Sequence, residues 1–254
     1  MKKLFPRSSQ YDPDWVQRNS MGENVLYNLE SLTDVIELKP GMRVLDLACG
    51  KAISSVFLAK EFGVEVWAVD NAVPPTENLD RIREQGCEKH VFPLRADARE
   101  LPFADEYFDA VICIDSYMYF GTDDKYLAYI SRFLKEGGIL GIVDVSFSRE
   151  IESFGDIPKF LKQDYSNYWY FVHSPQWWRR FWEKTGLIEV ERAEILPQNE
   201  FLKAEYVKYY ESADEKEPFA EALKNDTDNF INMFRLVGKR TRKEAFLQDY
   251  KEEF

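Results

Sequence analysis

The sequence predicts an α/β protein built on a doubly wound, mostly parallel sheet with helices on both faces. Three observations carry that reading. The run Val44-Leu45-Asp46-Leu47 reads as a buried strand, and it ends at a turn of small residues, Ala48-Cys49-Gly50-Lys51-Ala52, followed by a helical stretch from Ile53 to Lys60. A second apolar run, Val64 to Asp70, again ends in a carboxylate. From Arg43 onward strand and helix patterns alternate, which is the signature of right-handed βαβ units.

The elements follow in order. Tyr11-Asp12-Pro13-Asp14-Trp15 reads as a turn, and a helical stretch is expected from Val16 to about Ile36, ahead of the Pro40-Gly41 turn signal. This arm is too short for a domain and is expected to pack on the sheet's carboxyl edge or flank. Strands are expected at 43–47, 65–69, 91–95, 108–114 and 139–145, with helices at 54–62, 76–84 and 123–134. Glu136-Gly137-Gly138 supplies the glycine that would stop the last of these helices. Pro175 to Trp182 reads as a helix with Gly186 beyond it, and strands at 188–196 and 231–238 bring the count to seven. Two inserts interrupt the alternation: Ile151 to His173, rich in Phe, Tyr and Trp, and Gln198 to Asp228, which reads as helical. Together with the arm they are the natural places for a lid over a substrate.

At 254 residues the chain fits one large domain, divided into an arm (1–40), a ligand-binding core (41–147) and a substrate-side region carrying the inserts and last two strands (148–254). A net charge of −12 disfavours nucleic acid and anionic membrane surfaces as partners. Cys49, Cys87 and Cys113 are widely spaced and form no C-x-x-C pair, so reduced core thiols are expected and no metal site. Neither an apolar stretch of signal-peptide length nor a run near the roughly 20 residues of a membrane span is visible, which points to a cytoplasmic protein.

In an open parallel sheet, ligands lie across the carboxyl ends of the strands, and an acid ending the second strand is placed to accept from ribose hydroxyls. Asp70 occupies that position, with Asn71 beside it. The ligand suggested is therefore of adenosine type.

Taken together, these motifs resemble the class I S-adenosylmethionine-dependent methyltransferases, from about Met42 to Asp144 and more loosely to Lys239. The family's first motif, an acid, a small residue and a glycine-x-glycine turn, is matched by Asp46, Ala48, Gly50 and Ala52. Ala52 stands where the family has its last glycine, and a methyl group there needs room beside the cofactor. The resemblance implies a seven-stranded sheet whose last strand runs antiparallel beside the fifth. It implies Asp46 near the methionine amino group, Asp70 on the ribose, and Asp97 and Ala98 on the adenine, just before Leu101-Pro102-Phe103. Lys51 is a candidate partner for the methionine carboxylate.

The end of the fourth strand should lie beside the cofactor's sulfur, which brings in Asp115, Ser116, Tyr117 and Tyr119, while Asp109 at the strand's start is expected to be structural. The chain lacks the Asn/Asp-Pro-Pro-aromatic sequence of many enzymes that methylate amide or base nitrogens, so adenine, cytosine and glutamine are disfavoured as acceptors. Methyl transfer is an in-line displacement that needs alignment and exclusion of water more than a base. For a hydroxyl acceptor His173 is the candidate base, with Tyr117 and Tyr119 as positioning groups. The aromatic cluster around Tyr168, Trp169 and Trp178 reads either as helix-packing core or as rings facing an apolar acceptor or a cationic amine.

The expectation is a methyltransferase with a small-molecule acceptor. A nicotinamide-dependent oxidoreductase would share the fold, but residues 48–53 read A-C-G-K-A-I in place of G-x-G-x-x-G. A non-catalytic S-adenosylmethionine-binding protein is the other alternative.

Overall fold

The computed structural model describes residues 3–22, 24–212 and 217–242. Its sheet has seven strands: β1 (Arg43–Leu47), β2 (Glu65–Asp70), β3 (Val91–Arg95), β4 (Phe108–Ile114), β5 (Leu134–Phe147), β6 (Ile188–Ile195) and β7 (Ile231–Arg240). Their spatial order is β3-β2-β1-β4-β5-β7-β6. The first five pair in parallel, whereas β7 runs antiparallel to both β5 and β6. This is the doubly wound sheet the alternation predicted.

Period-two alternation divides the apolar residues between the two faces. Val44, Ala110 and Ile112 point into one core layer, with Leu29, Phe57 and Trp169. Leu45, Val111 and Cys113 point into the other, with Tyr126, Phe133, Trp178 and Trp182. Eight helices cover these faces: α1 (Pro13–Asn19), α2 (Val25–Thr33), α3 (Ile53–Phe62), α4 (Pro75–Glu84), α5 (Tyr126–Ser131), α6 (Pro175–Glu183), α7 (Asn199–Ser212) and α8 (Pro218–Asn225), counted among the described residues. Helix α3 is buried from Ile53 to Ala59 because the sheet lies on one side of it and α2 on the other. The absence of a polar face in its sequence follows from that position.

Three expectations change. The single helix expected from Val16 to Ile36 is two helices, because Asn24 caps α2 by accepting from the Leu26 N–H and the chain breaks at Ser20 to Gly22. The helix expected at 123–134 shortens to α5, since the Asp123 carboxylate accepts from the Lys125 N–H in a turn and residues from Leu134 onward join the sheet. Glu136-Gly137-Gly138 is no helix stop: it lies inside β5, where Gly137 has φ +72° and the pairing with β4 slips between Phe108 and Ala110.

The N-terminal arm is clamped to the body of the fold. Phe5 stacks on Tyr27 at 4.5 Å, and buried Glu30 accepts from the Arg7 N–H at 2.9 Å and the Ser8 N–H at 2.7 Å. Arg235 of β7 donates to the Ser31 carbonyl at 2.7 Å, tying α2 to the far half of the sheet. The break between α1 and α2 is thereby held above the carboxyl ends of the central strands.

Candidate functional site

The turn after β1 is wound by residues with positive φ, Ala48 at 57°, Gly50 at 53° and Ala52 at 59°. Gly50 suits its place for two reasons. Its left-handed backbone suits glycine, and a Cβ would lie 2.9 Å from the Met21 sulfur. Ala52 behaves differently from expectation. Its methyl faces the core, fully buried, and takes no part in the cleft lining. Ala52→Gly is therefore expected to change S-adenosylhomocysteine affinity by less than about twofold, because the methyl stays out of the cleft, and to leave folding stability nearly unchanged, because relief of roughly 1 kcal/mol of left-handed strain and loss of one buried methyl nearly offset each other. Parallel calorimetry of the two proteins checks this.

Asp46 is buried beneath the turn, with one carboxylate oxygen accepting from the Ser54 hydroxyl at 2.6 Å and the Ser55 hydroxyl at 2.5 Å. Burial pushes its pKa up to about 6, against the two serine hydrogen bonds and with a further upward push from Asp70. Asp70 does more than the expected ribose contact requires. Oδ2 accepts from the Gly50 N–H at 2.9 Å, and Oδ1 from the Ala72 and Val73 N–H groups at 2.8 and 2.9 Å. One carboxylate thus holds the turns after β1 and β2 together.

A cleft of about 370 Å³ runs along these residues, lined by Asp46, Ala48, Gly50, Lys51, Asp70, Asp115 and Ser116. The Lys51 ammonium reaches the Arg18 carbonyl at 3.5 Å. A second hollow of about 310 Å³ continues past Asp70 and is lined by Asn71, Asp97 and Ala98. The Asp97 carboxylate accepts from the Arg99 N–H at 2.8 Å, and the Ala98 carbonyl accepts from the Tyr126 hydroxyl at 3.1 Å. The two hollows share Met21, Ala48, Asp70, Ser116 and Tyr119, so they form one groove across the carboxyl ends of β1, β2 and β4. The order of its residues suits an extended ligand with a cationic amino acid at one end and a base at the other.

A larger cavity of about 610 Å³ opens from the groove at Met21, Gly22, Asp115 and Tyr119. Asp115 has φ 56° and accepts from the Asn28 side-chain amide at 3.0 Å, which turns it toward both spaces. Asp144 forms part of the cavity lining with 1% exposure, accepting from the Met118 N–H at 3.0 Å. The two inserts supply most of the walls, through Tyr168, Trp169 and Phe171 from the first and Tyr206, Tyr210 and Phe219 from the second.

Two candidate residues are corrected by their placement. Tyr117 is 1% exposed, and its ring packs among Phe120, Tyr126, Trp178 and Trp182 on the opposite face of the sheet, outside the groove and the cavity. Its side chain turns inward with the short helical turn Tyr117–Tyr119, which leaves Tyr119 facing the ligand space. His173 lines neither space. Its Nδ1 lies 2.7 Å from the Glu150 carboxylate and its ring stacks at 3.7 Å on Trp177, so it secures the entry to α6, whose cap Ser174 bonds the same carboxylate. Asp109, expected to be structural, accepts from the Arg43 N–H at 2.8 Å and pairs with Lys135 at the opposite end of the strands.

Sequence reasoning missed Met21, Gly22, Asn28 and Asp144. The carboxyl end of β5 was the available signal for Asp144, since β5 is parallel to β4 and adjacent to it. Met21 and Gly22 lie in a helix break that the pattern of the arm did not reveal.

A family model described as a methyltransferase domain matches residues 44–138. This segment contains the turn, the acids ending β1 and β2, and the Asp97-Ala98 loop. Residues 44–138 are thus similar to a methyltransferase domain, and they span β1 to β4 of the seven-stranded sheet and the start of β5. Among curated relatives, the chain is 31% identical over 136 residues to methyltransferase GfsG of Streptomyces halstedii. That match covers 53% of this chain, and the chain spans about half (49%) of that relative's length. Two structures share the fold. The [4+2]-cyclase SpnF has a TM-score of 0.67 at 19% identity, covering 88% of this chain and 84% of that one. Phosphoethanolamine N-methyltransferase 2 of Haemonchus contortus, in complex with S-adenosyl-L-methionine, has a TM-score of 0.66 at 22% identity, covering 90% of this chain and 56% of that one.

Proposed function

We propose that the protein transfers a methyl group from S-adenosylmethionine to a small-molecule acceptor. The observation that carries this reading is the continuity between the groove and the cavity through Asp115 and Tyr119. Bound in the groove, the cofactor supplies an electrophilic methyl group on a cationic sulfur. The chain's residues do the rest. Asp46 and Lys51 hold the amino-acid end, Asp70 and Asn71 the ribose, and Asp97 and Ala98 the base, while Gly50 lets the backbone approach. Asp115, Ser116 and Tyr119 face the reacting end, and the inserts exclude water from it. With His173 and Tyr117 engaged elsewhere, catalysis rests on alignment and electrostatics.

No helix among the described residues is long and apolar enough to cross a membrane. The buried free thiols Cys49, Cys87 and Cys113 support a reducing, cytoplasmic setting. Calorimetric titration with S-adenosylhomocysteine, with NADH and NADPH in parallel, tests the proposal. Saturable binding of the thioether alone is the expected result. Binding of a nicotinamide instead, or of none of the three, would overturn it.

A further inference from the structure

Asn19, Ser20, Met21 and Gly22, where α1 gives way to α2, form a continuous stretch of the cleft wall, and the Met21 sulfur lies beside Gly50. Arg81, on α4, lines neither the cleft nor the hollow beyond it, yet its guanidinium is bonded toward both the arm and the turn. Nε donates to the Asn19 side-chain oxygen at 3.0 Å, and Nη1 donates to the Asn78 side-chain oxygen at 2.9 Å. Asn78, 1% exposed, donates its amide N–H to the Gly50 carbonyl at 2.9 Å. Asn19 donates its own to the Trp15 carbonyl at 2.9 Å.

The polarity of this chain of bonds is set from its centre. A guanidinium only donates, so each asparagine must present its oxygen to Arg81 and turn its NH2 toward a backbone carbonyl, one in the glycine turn and one in α1. Gly50 is thereby held through both of its backbone groups, the N–H by Asp70 and the carbonyl by Asn78. The ion pair of Arg81 with Glu77 is different in kind. It joins residues one helical turn apart at 3.2 Å with the Glu77 side chain 56% exposed, and such pairs contribute little. The asparagine bonds are charge-assisted, on an arginine side chain only 18% exposed.

We infer that Arg81 is a positioning residue for the cofactor: by bridging Asn19 to Asn78 it fixes the α1 end of the cleft wall relative to the Gly50 turn, and so sets how firmly the cleft holds its ligand. This inference rests on the methyltransferase reading. In-line transfer depends on a fixed cofactor, and a wall free to shift by an ångström gives that up. The Lys51 contact with the Arg18 carbonyl, at 3.5 Å and exposed, is the weaker tie between the same two segments.

Surface plasmon resonance of S-adenosylhomocysteine on the captured full chain tests this, since it reads association and dissociation separately. Arg81→Met keeps the aliphatic stem and removes both asparagine bonds. It should speed dissociation about tenfold while association stays within about twofold, the pattern of a loosened rather than a blocked site. Asn19→Ala, at the end of α1, tests the bridge independently of α4 and should speed dissociation severalfold. Because both changes break one bridge, the double variant should dissociate no more than about twofold faster than Arg81→Met alone. Arg81→Lys, whose ammonium lacks the planar fork that spans the two oxygens, should recover only part of the loss. A lowered melting temperature with an unchanged dissociation rate in Arg81→Met, or effects that multiply in the double variant, would overturn the inference. Absence of S-adenosylhomocysteine binding by the unaltered protein removes the methyltransferase reading and the inference with it. Binding by the unaltered protein, with both single variants releasing the thioether at the same rate, removes only the role of Arg81.

Discussion

Asp70→Ala should weaken S-adenosylhomocysteine binding about 100-fold, or roughly 3 kcal/mol, and lower folding stability by a similar amount. The two losses have separate origins. Affinity falls because the carboxylate placed for the ribose hydroxyls is gone. Stability falls because the Gly50, Ala72 and Val73 N–H groups lose their shared acceptor, and the turns after β1 and β2 are no longer held together. Asp70→Asn should lie between wild type and Asp70→Ala in both respects, since one amide oxygen can replace only part of a bidentate acceptor. Calorimetry for affinity and urea unfolding for stability are the measurements. Unchanged affinity in the alanine variant would rule out the ribose role, whatever happened to stability.

The second large effect is a pH dependence at Asp46. Burial raises its folded-state pKa to about 6 from the ordinary 3.8, so between those values the folded protein binds more protons than the unfolded chain. Stability from this group is therefore greatest below pH 4, falls as pH rises toward 6, and is flat beyond, a total change of about 3 kcal/mol. Asp46→Asn should abolish that slope while its amide oxygen still accepts from Ser54 or Ser55. Cofactor binding should move in the opposite direction. A cationic amino group beside Asp46 favours the ionised carboxylate, so S-adenosylhomocysteine affinity should rise about tenfold between pH 5 and 7 in wild type and stay flat in Asp46→Asn. Urea unfolding from pH 4 to 8 and titrations at pH 5 and 7 measure the two trends. An identical pH slope in both proteins would show that Asp46 is not the group responsible for it.

The strands and the cofactor groove were legible for one physical reason: each depends on short stretches of chain. Val44 to Ala52 carries its strand and the turn before α3 in continuous sequence, and Asp70 follows from the end of the second strand, while Asp46 and Asp97 were marked by the resemblance to a family. Where local pattern failed, a contact distant in sequence had intervened. Residues 134–138 contain a glycine pair that suits a helix stop, yet pairing of Leu134 with Phe108 draws them into β5. Ala52 looked obstructive because the motif specifies a residue type and says nothing of which way its methyl points.

The same distinction separates cofactor from acceptor. Fold class rests on hydrophobic period and turn chemistry, which are properties of neighbouring residues, whereas the sheet order and the expected roles of Asp46, Asp97 and Ala98 came from the resemblance to a family. The cavity proposed for the acceptor is assembled from the α1–α2 break, the ends of β4 and β5, and two inserts far apart in the chain. Its charge and shape exist only once those segments meet. Tyr117 and His173 make the point at single-residue scale: the chemistry of their side chains suited a reacting centre, and packing against Trp182 and Trp177 turned both rings away from it. Asp144, unmarked in the sequence, gained its place because β5 lies beside β4 and the inserts close over their ends.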